Sequence, residues 1–179
     1  MVDREPAPPE FSRIFMADGV GPVGLALDIA ATPEESAALA QRFGLEALSG
    51  LSAHVALRRA GGGKVRLDVT FDADVLQLCV ITLEPVASHV SDRFEVVFAP
   101  PGEDGDETEV FVDIADEDPP EPLRDGGIDV GEMIAQHLSL QIDPYPRAPD
   151  AEGGSWESGG EAEIRRRPFE RLRNFGTKV

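Results

Sequence analysis

Cys79 is the only cysteine of the 179-residue chain, and its possible partners are three histidines, His54, His89 and His137. A catalytic thiol needs a base that makes thiolate and a further group that orients the base. A zinc site needs Cys and His clustered at ligand spacing. Cys79 lies inside the apolar run LQLCVITL (76–83), and the residue three positions on is Thr82, a poor zinc ligand. His54 falls on the polar side of an alternating segment, His89 opens another, and His137 lies on an apolar helical stripe. None of them forms a recognisable motif with Cys79. Three roles are open to the thiol: nucleophile, half of a metal site, or packing residue. Unpaired cysteine is among the most buried residue types, so we expect Cys79 to pack in the interior without a metal. We expect His137 to sit hydrogen-bonded at the edge of the core.

Carboxylates are the other source of chemistry. General acid–base work needs two of them fixed in a pocket. Asp125, Asp129 and Glu132 are close enough in sequence to form such a set. Asp129 also suits a purely structural task, as the cap of the helix that follows it. Most remaining acids crowd the stretch from Gly102 to Glu121, where ten of twenty residues are acidic and none is basic. A run of that kind is a solvated loop rather than a site. GGGK (61–64) lacks the Ser or Thr and the helix of a phosphate-binding loop and reads as a hairpin turn. These residues call for no metal or cofactor.

The formal net charge is −18, and it is unevenly spread. Residues 161–179 hold Arg165, Arg166, Arg167, Arg171, Arg173 and Lys178 against Glu161, Glu163 and Glu170, which leaves −21 on residues 1–160. An acidic body repels phosphate backbones and attracts basic partners, ribosomal proteins among them. The terminal stretch has the opposite character. Phe169, Leu172 and Phe175 recur every third position among the arginines. Such an arm can dock on its own acidic body, or it can meet phosphate and stack on bases.

The elements that would hold these residues follow from periodicity and capping. Residues 11–29 read as two short strands around a Gly-rich turn. ATPEESAALAQRFG (31–44) is a helix, with Thr32 as N-cap, Pro33 in its first turn, Glu35 closing a capping box and Gly44 stopping it. Residues 51–75 alternate as a hairpin about the glycine turn, and LQLCVITL continues as a more apolar strand. HVSDRFEVVFAP (89–100) and TEVFVDI (108–114) are further strands. IDVGEMIAQHLSLQI (128–142) is the second helix, capped by Asp129 in a box with Glu132 and ended by PYP at 144–146. Consecutive strands with short turns predict an α+β fold on a mainly antiparallel sheet with peripheral helices. We expect one domain over 1–148, with an acidic loop at 102–121, then a flexible Gly/Ser/Glu-rich linker and basic arm over 149–179. No apolar run approaches the ~20 residues of a membrane helix. MVDREPAPPE has no signal-peptide core, so a soluble cytoplasmic protein is expected.

Three stretches together resemble one family. CVITLEPV brings Cys79, Leu83, Glu84 and Pro85, and IDVGEMIAQHLSLQIDPYPRAP brings Asp129, Gly131, Glu132, Pro144, Tyr145 and Pro146. RRRPFERLRNF brings Pro168 and the element "PF-x-x-L". This is similar to the YceD family, the large ribosomal RNA subunit accumulation proteins, in layout from about Leu25 to the end. Many members carry Cys-x-x-Cys at the first signature, where this chain has Thr82. The resemblance implies a bacterial cytoplasmic factor needed for large-subunit rRNA to accumulate, and it brings no catalytic residues.

The reading that results is a non-enzymatic ribosome-biogenesis factor. Its acidic body would engage a basic ribosomal protein or assembly factor. Its arm, through Arg165, Arg166, Arg167, Phe169, Arg171, Arg173 and Phe175, would contact large-subunit rRNA or its precursor, directly or through a protein. The alternative is a carboxylate-dependent RNA-processing hydrolase built around residues 125–132. Convergence of Asp125, Asp129 and Glu132 in a pocket would favour it.

Overall fold

The computed structural model describes residues 9–100, 119–123 and 125–152. Alternation is strongest in the centre of the chain, and there it builds the sheet. β3 (Ala47–Arg59) and β4 (Val65–Leu78) pair antiparallel about a 3-10 turn at Gly61–Gly63. β5 (Pro85–Ala99) pairs antiparallel with β4 along its whole length. β2 (Leu25–Ala30) flanks β3, and the two-residue β6 (Glu121–Pro122) lies parallel to the end of β5, giving the order β2-β3-β4-β5-β6. β1 (Ile14–Met16) and β7 (Gly127–Asp129) form a separate antiparallel ribbon. The fold is α+β, as the pattern predicted.

One face of the sheet is buried. Val55, Leu57, Leu67, Val69, Phe71 and Val75 are almost wholly inaccessible, because a period of two sends each of them inward. α1 (Pro33–Phe43) packs on β3 and α2 (Val130–Gln141) on β5 and β1. They bury Leu39 on one side and Ile134, Ala135 and Leu138 on the other. The first helix is capped as expected. Thr32 accepts from the Glu35 amide, the Glu35 carboxylate accepts from the Thr32 amide, and Gly44 turns left-handed at φ 68°.

Four expectations need correction or placing. LQLCVITL is not one strand: β4 stops at Leu78, and residues 79–84 form a turn in which Cys79 N–H donates to Glu84 O and Leu83 N–H to Cys79 O. Leu83 takes φ 60°, which a strand cannot contain. His89 does not open its strand but lies inside β5, opposite Asp74. The capping box of α2 is half formed. Asp129 accepts from the Glu132 amide, while the Glu132 side chain turns away to Arg42. The strand expected at 108–114 lies outside the described residues.

Candidate functional site

The turn after β4 is built by sulfur. Cys79 Sγ lies 3.4 Å from the amides of Ile81 and Thr82 and 3.3 Å from that of Ala148, all of which donate to it. Donors converging on one atom stabilise its charged form. The Thr82 side chain first, then the Ala148 and neighbouring amides, bring the thiol down to about 6, against the opposing effect of burial. The side chain has no accessible surface, so this thiolate cannot meet a substrate. Cys79 therefore packs in the interior, as expected, but it organises backbone rather than filling a strand. No histidine joins it. His54 Nδ1 pairs with Asp28 at 2.7 Å, His89 Nδ1 with Asp74 at 2.8 Å, and His137 stacks on Phe94 with ring centroids 3.6 Å apart. Burial lowers the pKa of His137, with Asp92 and Glu121 pulling the other way.

The same turn anchors the chain after α2. Val80 N–H donates to Pro146 O, and Gln77 Nε2 to Asp143 O. The Asp143 side chain caps the bend by accepting from the Tyr145 amide. Pro144 and Pro146 thus lie against the end of β4, while Tyr145 points outward. Leu83 and Glu84 are exposed, and Pro85 starts β5.

The second cluster of carboxylates is also committed to structure. Asp129 Oδ1 accepts from the Arg13 amide at 2.9 Å and the Glu132 amide at 3.2 Å, and Oδ2 accepts from Ser12 Oγ at 2.6 Å. Glu132 grips Arg42 with both oxygens at 2.8 Å, and Arg42 also reaches Glu10. Arg42 holds the Glu132 carboxyl below its ordinary range. Asp125 stands apart, beside Ala17, Asp18 and Arg59. The three acids do not converge. Gly131 explains itself in the same place. A Cβ there would lie 2.6 Å from Phe11 O and 2.9 Å from Arg13 N, so only glycine lets the N-terminal segment cross the helix start. Arg13 completes the clamp with a bidentate pair to Glu35. Phe11, Ser12, Arg13, Glu35 and Arg42 do not stand out as a group in the sequence. A glycine in the first turn of an amphipathic helix is the one signal available.

Among the described residues nothing covers the sheet's other face. Across it run Asp28, His54, Thr70 and Arg93 in one row and Ala26, Ala56, Asp68 and Glu95 in the next. Its charges answer one another, as in Arg66–Glu95 at 2.8 Å, and no Phe, Tyr or Trp stands among them to stack on a base. Among the described residues no three His, Cys, Asp or Glu group to hold a metal, and no helix is long and apolar enough to cross a membrane. The arm residues Arg165 to Phe175, with Pro168, lie outside the described residues.

Residues 67–175 match the family described as large ribosomal RNA subunit accumulation protein YceD, over more than half of the chain. The chain belongs to the YceD family. No curated protein and no solved structure matches it. The matched residues include the Cys79 turn, the 129–132 helix start and the arm through Phe175. The family's description names the accumulation of an RNA rather than a reaction, which ties the chain to a role in large-subunit rRNA accumulation.

Proposed function

We propose that this YceD-family protein supports large-subunit rRNA accumulation by binding, without catalysis, in the bacterial cytoplasm. The observation that carries the reading is the full commitment of the 129–132 carboxylates. Both Asp129 oxygens hold the N-terminal segment and the helix cap, and both Glu132 oxygens hold Arg42. A hydrolase would need at least one of them free beside a partner acid in a pocket. The family's description, accumulation of large-subunit rRNA, supports RNA as the bound class.

The division of labour follows from charge. With a net −21 on residues 1–160, the body suits a basic ribosomal protein or assembly factor. The arm, with Arg165, Arg166, Arg167, Arg171 and Arg173 interleaved with Phe169 and Phe175, suits rRNA. The test is purification of the tagged full-length protein from growing cells at low salt, with sequencing of bound RNA and identification of bound proteins. Large-subunit rRNA and a basic protein should be recovered. Changing the five arginines to alanine should lower RNA recovery and flatten its salt dependence, by about one unit of log–log slope for each phosphate that is no longer neutralised. RNA recovery unchanged by that variant would remove the arm from the reading. Metal-dependent cleavage of rRNA precursors by the pure protein, abolished in Asp129→Asn, would replace binding with hydrolysis.

A further inference from the structure

A groove of about 450 Å³ opens between the end of α1, the end of β4 and the segment after α2. Its walls are Phe43, Leu78, Val80, Ile142, Pro144 and Pro146, with Glu46 and Asp143 among them. Leu78 is 40% and Val80 47% exposed, high values for aliphatic side chains that line one recess. Apolar walls carrying carboxylates suit a segment with apolar side chains on one side and cations around them.

The chain itself carries such a segment. Phe169, Leu172 and Phe175 recur at helical spacing, with Arg165, Arg166, Arg167, Arg171 and Arg173 about them. The segment that leads to the end of the described chain also passes this groove. Pro146 forms part of its wall and accepts from Val80 N–H, and Ala148 N–H is held by Cys79 Sγ. The described chain ends at Glu152, and sixteen residues rich in Gly, Ser and Glu lead from there to Phe169. A coil of that length spans roughly 20–25 Å, at about 5–6 Å times the square root of its residue number. The groove is therefore within easy reach, and a tether this short gives an effective concentration on the order of millimolar. We propose that the chain's own arm docks in this groove, with Phe169 and Leu172 against Leu78 and Val80 and the arginines toward Glu46 and Asp143. Docking of this kind is independent of what the arginines bind on their outer side.

The test uses the full-length protein and its NMR spectrum. F169D/L172D changes no residue of the described fold, so it reads docking without risk to folding. The signals of Leu78, Val80 and Ile142 should move in this variant, while those of Thr70 on the open sheet face stay. Adding a synthetic peptide of residues 165–179 to the variant should return them, saturably and one to one. Val80→Asp in the F169D/L172D background should weaken that peptide at least roughly tenfold, the ratio that 1.4 kcal/mol of anchor energy gives. Should Val80→Asp prevent folding, the arm variant and the peptide titration still decide. Groove signals that ignore F169D/L172D would overturn the proposal. So would groove signals that move with protein concentration in the parent, because a second copy would then be the occupant.

Discussion

Gly131→Ala is the most direct test of the clamp at the start of α2. The new Cβ would stand 2.6 Å from Phe11 O and 3.0 Å from Phe11 C, and both are backbone atoms that cannot rotate away. The segment must withdraw by about half an ångström or more to reach ordinary van der Waals distance. Withdrawal stretches two bonds that hold it, Val130 N–H to Arg13 O at 3.0 Å and Arg13 N–H to Asp129 Oδ1 at 2.9 Å. Weakening these costs about 0.5–1.5 kcal/mol each. Lifting Phe11, now 1% exposed, adds up to about 1.5–3 kcal/mol. Alanine returns no more than about 1 kcal/mol of helix propensity. The net is a loss of about 2 kcal/mol, which for a chain of this length lowers the Tm by roughly 4–8 °C. Urea unfolding followed by circular dichroism measures it. In a Phe11→Ala background the same change should cost less, because the segment it displaces is already loosened. A midpoint equal to or above the parent's would show that residues 11–13 do not lie on the helix.

Asp129→Ala removes a helix cap and two anchors of the N-terminal segment and should cost about 2–3 kcal/mol, whereas Glu132→Gln, which breaks a part-exposed ion pair, should cost about 1 kcal/mol or less; the reverse order in urea melts would contradict the assignment. Cys79 titrates near 6 in the fold against 9.0 for a free thiol, so the stability it adds is full above pH 9 and falls away as the pH drops toward 6. The stability gap between the parent and Cys79→Ala should therefore widen from pH 6 to pH 9, and a constant gap would refute the thiolate. His137 is held neutral by burial, so the unfolded chain takes up its proton first, and stability should drop as the pH falls below about 6.5. His137→Leu should flatten that acid limb in thermal melts, and an unchanged limb would assign it to other groups.

The sheet was legible because its signal is strictly local. From Val65 to Val75 every second residue is apolar, and every one of them is buried. The first helix was legible to its caps, since Thr32, Pro33, Glu35 and Gly44 each act within one turn. LQLCVITL misled because its composition suits a strand while its geometry is set by one atom. The sulfur collects amides from Ile81, Thr82 and distant Ala148, and Val80 and Leu83 are left exposed as a result. Glu132 misled for a related reason: the local capping box lost to Arg42, which lies ninety residues away. Periodicity and capping rules carry no information on contacts of that range.

Two of the three stretches that carry the family resemblance perform one task, each seating a segment distant in sequence. Asp129 and Gly131 seat residues 11–13, and Glu132 ties α2 to α1 through Arg42. The Cys79 turn seats residues 146–148, beyond the end of α2. Neither cluster offers a free nucleophile or a free acid, so loss of either should act through stability and through where the chain ends are held. Among the described residues, these clamps leave exposed the mixed-charge sheet face and the acid-bearing apolar groove. A substitution on the sheet face, such as Thr70→Ala, should leave the fold intact, which makes that face the cleanest place to separate binding from folding.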